Sequence, residues 1–182
     1  MDSKQIAEAF KLNSMLYRIF QGVFLNNNIP IDYLKSKRNC FFVVNTISST
    51  HNIGHWVLFY IKDYCLYFFD SLGKDPEYYD GDIKKFYNQF MFDKLVVFRK
   101  QIQNSTSSVC GAYVIYFAYI LFTCENVYRL KAKFTLQYVK NDKIVVNFVD
   151  KLFGIEQSCN INYCPVYMYM ENKCREDCKC CE

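Results

Sequence analysis

Few residues in this chain could do chemistry. There are only two histidines, His51 and His55, in 182 residues. There are ten cysteines, but Cys110 alone stands where a small polar run, NSTSS, becomes an uncharged apolar segment, VCGAYVIYFAYILF. A thiol at the first turn of a helix meets unpaired backbone N–H groups and the positive end of the helix dipole, and both favour the thiolate. A neighbouring imidazolium lowers the thiol pKa further. The Cys110 N–H can also donate to an oxyanion. A glutamine side chain in the preceding loop could be the second donor. Gln103, seven residues before Cys110, is placed for this, and Gln101 is the weaker candidate. Gly111 lets backbone or substrate approach closely. The chemistry that needs these types together is nucleophilic attack by an exposed thiolate at a rigid helix start.

The elements that must position them follow from the pattern. HWVLFYI (55–61) and YCLYFFD (64–70) read as strands. With Lys62-Asp63 as a two-residue loop, His55 lies directly opposite Asp70, on the same face, with Cβ atoms about 4.5–5.5 Å apart. The carboxylate would fix the imidazole tautomer and free the other ring nitrogen as a base. Rates would then fall in acid as His55 protonates. Taken singly, each feature has a structural reading: a cysteine at an apolar helix start packs in a core, and a His-Trp in a strand packs. The order His, Asp, Gln, Cys-Gly separates the two readings. His51 reads as a loop residue near the cleft, and Cys40, Cys65 and Cys124 as packing thiols.

Around these elements, residues 3–20 read as one amphipathic helix and Pro30 starts a short helix or turn. CFFVVNTI (40–47) is a buried strand, 82–92 a helix and 94–102 a strand. Residues 110–124 form a helix apolar on all sides, hence central, and 140–154 an amphipathic helix ended by Gly154. The class is α+β: a central mixed sheet flanked by helices, with a buried helix starting at Cys110. Residues 1–157 form one domain and 158–182 a cysteine-rich tail. A composition 52% hydrophobic and 19% aromatic excludes a disordered chain. A net charge of +4 permits nucleic-acid contact without arguing for it. The longest uncharged apolar run, Val109 to Phe122, has 14 residues. A membrane span needs about 20, so no membrane partner is expected. The N-terminus lacks a signal-peptide layout, so the chain is not expected to be secreted and its cysteines should be reduced thiols, metal ligands or a catalytic group rather than a secretory disulfide framework.

VNT (Val44–Thr46), GHW (Gly54–Trp56), YFFDSLG (Tyr67–Gly73) and QNSTSSVCG (Gln103–Gly111) together resemble the adenovirus-type cysteine proteases and the wider clan that includes SUMO-specific proteases. The likeness covers about residues 40–120, and the 140–154 helix fits the late helix of that family. The seven-residue step from glutamine to cysteine is that of the adenovirus type, where SUMO proteases typically use six. The resemblance implies Cys110 as nucleophile, His55 as base, Asp70 as its orienting acid and Gln103 in the oxyanion hole. Trp56, Asn45, Gly54 and Gly111 would pack beside the site or touch substrate. Asp70 stands where the adenovirus enzyme has glutamate. The segment FDKLVVFRKQIQ lacks the cysteine that holds an activating peptide in that enzyme.

The function implied is an endopeptidase cleaving viral capsid and core precursors during particle maturation, acting in the virion and in the host nucleus or cytoplasm. The chemistry needs no cofactor. Stimulation by DNA or a peptide is implied by the family alone. Lys35, Lys37, Arg38, Lys84, Lys85, Arg99, Lys100, Arg129, Lys131 and Lys133 could meet phosphates or form a solvated surface. The alternatives are an isopeptidase acting on ubiquitin-like modifiers and an inactive structural protein of the particle. The tail carries Cys159, Cys164, Cys174, Cys178, Cys180 and Cys181, without paired C-x2-C spacing. Its last four thiols, Cys174, Cys178, Cys180 and Cys181, could bind a metal. Late disulfides, or a flexible thiol-rich anchor, are the other readings.

Overall fold

A computed structural model describes residues 1–47, 54–124 and 133–153. His51, the Cys124 side chain, Arg129, Lys131, the Gly154 helix end and the tail thiols Cys174, Cys178, Cys180 and Cys181 lie outside the described residues.

The expected first helix is two. Asp2 caps α1 (Ser3–Lys11) in a capping box with Gln5. Asn13 then caps α2 (Ser14–Ile19), its side chain accepting from Leu16 N at 3.1 Å. A second N-cap inside an apolar stripe breaks the helix without breaking its periodicity. Phe20, read as helical, instead opens strand β1 (Phe20–Leu25). Its ladder is irregular between Phe20 and Val23, and Gly22 takes a φ of 132° there. That bulge and the Gln-Gly pair hide the strand in the sequence. After α3 (Ile31–Lys35) come β2 (Asn39–Asn45), β3 (Trp56–Lys62) and β4 (Cys65–Phe69). A short 3-10 turn at Pro76–Tyr78 precedes α4 (Gly81–Gln89), β5 (Lys94–Phe98), α5 (Cys110–Cys124) and α6 (Tyr138–Phe153).

The strands lie in chain order, β1-β2-β3-β4-β5. The outer pairs β1–β2 and β4–β5 are parallel, and the inner pairs antiparallel, so the sheet is mixed. Side chains alternate between two cores. Phe41, Val43, Leu58, Tyr60 and Phe69 face α1, α2, α5 and α6. Cys40, Phe42, Val57, Phe59 and Phe68 face α3 and α4. Both faces are covered, which is why β2 and β3 are apolar at every step rather than at alternate ones. α5 packs between β3 and the helices α1 and α6. Tyr113, Val114, Ile115 and Ala118 are wholly buried around its circumference. Each large apolar side chain so buried contributes roughly 1.5–3 kcal/mol.

The β3–β4 turn is not at Lys62-Asp63. Asp63 and Tyr64 both have positive φ, 46° and 63°, and form the two-residue loop of a primed turn. Lys62 therefore pairs with Cys65, and Leu58 with Phe69. The register is two residues from the expected one. Because the side-chain period is two, that slip keeps His55 and Asp70 on one face but makes them diagonal neighbours rather than opposed ones.

Candidate active site

Because β3 and β4 form a hairpin, the residue before β3 and the residue after β4 meet at the end away from the turn. Those residues are His55 and Asp70. Thr46 fixes the backbone at His55 from both sides: its N–H donates to the His55 carbonyl at 2.8 Å, and its hydroxyl accepts from His55 N at 3.2 Å. The VNT segment thus holds the histidine. Asn45 pairs with Trp56 across the ladder, and its side chain accepts from Ile47 N at 3.0 Å. A Cβ on Gly54 would come within 3.2 Å of the Asn45 amide, so the glycine lets these two turns pack.

His55 Nε2 lies 2.6 Å from Asp70 Oδ1. Asp70 has no exposed surface. Leu72 N also donates to Oδ1 at 2.7 Å, while Tyr79 OH (2.7 Å) and Lys74 N (3.2 Å) donate to Oδ2. A carboxylate held by four donors cannot rotate away from the imidazole. Burial first, then the Asp70 charge and hydrogen bond, push the Tyr79 hydroxyl well above its usual range, so it stays a donor.

With Nε2 on Asp70, Nδ1 is the ring nitrogen left for Cys110. Burial pushes the His55 pKa down, but hydrogen bonds and charge from Asp70 and Cys110 outweigh it and raise the group to about 9. Burial pushes the Cys110 thiol up. The His55 hydrogen bond and charge, with the backbone N–H groups of Trp56 and Gly111, overcome it, and the thiol stands below its ordinary 9.0. Both directions favour a thiolate beside an imidazolium at neutral pH. The sulfur is less open than the sequence suggested, since Cys110 is only 9% exposed. Trp56 is buried beside it, and its indole N–H donates to the Met1 carbonyl at 3.1 Å. A Cβ on Gly111 would stand 2.8 Å from Met1 Cβ, so the glycine admits that close packing.

Gln103 sits in the loop leading to α5 and is 2% exposed. Its Nε2 donates to the Ser107 carbonyl at 2.9 Å and lies 3.3 Å from Ser107 Oγ. Its Oε1 accepts from Ser71 Oγ. Gln101 donates from Nε2 to the Gln103 carbonyl at 3.1 Å, so it braces the loop instead. Strand β5 ends at Phe98, short of the expected 102, and Ile102 and Gln103 donate their backbone N–H groups to the Ser71 carbonyl. Sequence reasoning missed Ser71, Tyr79 and a buried pair on α6, Asn141 and Asp142. Asn141 does carry a signal, since it shares a four-residue spacing with buried Val145 and Val149.

Cys40 is buried, and burial holds its thiol up at about 12, the mark of an inert packing cysteine. Cys65 is half-buried. Among the described residues no group of three or more His, Cys, Asp or Glu could hold a metal, and no helix is long and apolar enough to cross a membrane.

No family model matches the chain, and no curated protein matches it by sequence. Solved structures do. The Chlamydia trachomatis effector ChlaDUB1 is 13% identical over 87% of this chain and 86% of its own, with a TM-score of 0.61. The Chlamydia trachomatis effector Cdu1, solved bound to ubiquitin, is 15% identical over 84% and 91%, also at 0.61. The ASFV pS273R protease is 18% identical over 85% and 68%, at 0.48. What this chain shares with these two solved structures is the fold: the mixed sheet between helices, in the α+β class read from the sequence.

Proposed function

We propose that the chain is a cysteine protease in which the Cys110 thiolate attacks a peptide carbonyl. The observation that carries this is His55, bound at 2.6 Å to the buried Asp70 carboxylate and hydrogen-bonded to a thiol at the first turn of α5. In the first step the Cys110 sulfur bonds to the carbonyl carbon, and the oxyanion is met by the Cys110 N–H and the Gln103 amide. The His55 imidazolium gives its proton to the leaving amine, leaving a thioester. Water, deprotonated by the now neutral imidazole, then attacks the thioester and regenerates the thiolate. A groove of about 590 Å³ lies between α1 and α6 next to the residue before Cys110, lined in part by Ser108, Val109, Ala112 and Phe153.

The substrates are precursor proteins of a viral particle, cleaved in the virion or the infected cell. The seven-residue glutamine-to-cysteine step and the VNT segment support this reading. A second reading, removal of ubiquitin-like modifiers, is favoured by the likeness to Cdu1 in its complex with ubiquitin. Wild type and Cys110→Ala should be offered a Gly-Gly-containing peptide, a folded ubiquitin conjugate and particle precursors. Wild type alone should cut the peptide and the precursors. Cleavage of the conjugate in their place would select the second reading, and identical fragments from both proteins would end both.

A further inference from the structure

Ser71 follows Asp70 directly and is, like it, without exposed surface. It holds Gln103 by two routes. Its carbonyl accepts from Ile102 N at 2.9 Å and Gln103 N at 3.1 Å. Its hydroxyl donates to Gln103 Oε1 at 2.5 Å. A primary amide has two ends of nearly the same shape and opposite hydrogen-bonding character. At Gln103 the Nε2 end faces the Ser107 carbonyl at 2.9 Å, which accepts and cannot donate. A flipped amide would set two carbonyl oxygens against each other there. The Ser71 hydroxyl anchors the other end. The Ser107 carbonyl decides which end is the nitrogen, and the Ser71 hydroxyl, donating to Oε1, tethers the amide in that orientation, with Nε2 against Ser107 in the loop that runs into Cys110. One of its two N–H groups serves Ser107. The other lies by Ser107 Oγ at 3.3 Å, a long bond that an oxyanion at Cys110 would have to replace.

We propose that Ser71 is a positioning residue, whose hydroxyl fixes the Gln103 amide so that its nitrogen faces the start of α5. This rests on the protease reading and deepens it. One buried dipeptide at the end of β4 then sets both halves of the machinery. Asp70 orients the base and Ser71 orients the oxyanion donor. The two act on different steps: Asp70 works through the His55–Cys110 pair, and Ser71 through the charge that develops on the substrate carbonyl.

The test is a double-mutant cycle of Ser71→Ala and Gln103→Ala in the full chain. It is read by kcat and KM on a peptide amide, by the rate of Cys110 alkylation with iodoacetamide, and by the side-chain amide resonances of Gln103 in 15N-labelled protein. Gln103→Ala should lower kcat by about 10²-fold, as loss of an oxyanion donor does. Ser71→Ala should lower kcat roughly tenfold with KM little changed, shift the Gln103 amide resonances, and leave the alkylation rate as in wild type, since the thiolate is untouched. In the Gln103→Ala background Ser71→Ala should cost nothing further. If it lowers kcat equally in both backgrounds, or leaves the Gln103 resonances in place, the proposal is overturned. Should Ser71→Ala fail to fold, Ser71→Cys, a similar shape with a poor donor, is read the same way. If wild type alkylates at Cys110 but turns over no amide, the protease reading fails, while the resonances still decide whether Ser71 sets the amide.

Discussion

A His55 raised to about 9 is already charged at neutral pH, so its protonation cannot be what ends activity in acid. The acid limb belongs to Cys110, whose thiol stands below 9.0 and regains its proton as the pH falls through its lowered value. The sequence reading instead places the acid limb on His55, as a neutral imidazole that takes the thiol proton. Two measurements separate the groups. Alkylation of Cys110 needs only the thiolate, so its rate should rise through the lowered thiol pKa and show no decline at high pH. Turnover also needs the imidazolium to protonate the leaving amine, so kcat/KM should fall again as pH passes about 9. In Asp70→Asn the carboxylate that lifts His55 is gone and burial is left to push it down. The alkaline limb should therefore move to lower pH, by about 1–3 units. A limb that stays near 9 in Asp70→Asn would show that Asp70 does not set the charge state of His55.

Among the elements, α6 reaches furthest into the site without touching the reacting groups. Asn141 is 1% exposed, and its amide donates to the Ile102 carbonyl and the Thr135 carbonyl, both at 2.9 Å. Its Oδ1 accepts from Thr135 N at 3.2 Å. Tyr113 OH, from the second turn beyond Cys110, lies 3.0 Å from both the Ile102 carbonyl and Asp142 Oδ1. The chain just before Gln103 is thus pinned to two helices. Asn141→Ala leaves the buried Ile102 carbonyl with one donor fewer. It should lower stability by about 1–3 kcal/mol in urea unfolding, with a larger loss of kcat than of KM. Unchanged unfolding would mean the loop is held without α6. Only the inward face of Asn141 was legible in the sequence, through its spacing with Val145 and Val149; its bond to Ile102 and the Asp142–Tyr113 bond join residues 39 and 29 apart, and no local pattern announces them. What was legible was local or patterned. The apolar circumference of 110–124 marked the central helix, and strand alternation put His55 and Asp70 on one face. The turn was misread because Asp63-Tyr64 is a poor sequence match for two positive-φ residues, yet the face survived since the error was an even number of residues.

At the scale of the whole molecule, one sheet carries a core on each face. Among the described residues, the cluster over α1, α2 and α5 draws Val145 and Val149 from α6, and the cluster under α3 and α4 runs from Ile29 to Val97. The five described strands, helices α1 to α6, and His55, Asp70, Gln103 and Cys110 form one continuous body of packed elements. A hydrophobic core defined by contact on both faces of one sheet unfolds as a unit, so its stability should depend on those residues together. The domain boundary read from the sequence at residue 157 can be put to the test by truncation. A chain ending there should fold with an unchanged far-ultraviolet spectrum and a midpoint within a few degrees of the full chain, and should retain kcat/KM within about threefold, since a shift of a few degrees corresponds to less than about 1 kcal/mol in a domain of this size. Metal chelators should leave its turnover unaltered, because Cys174, Cys178, Cys180 and Cys181 are gone. A shortened chain that melts far lower, or that alkylates at Cys110 but no longer turns over peptide, would show that the thiol-rich segment completes the enzyme instead of following it.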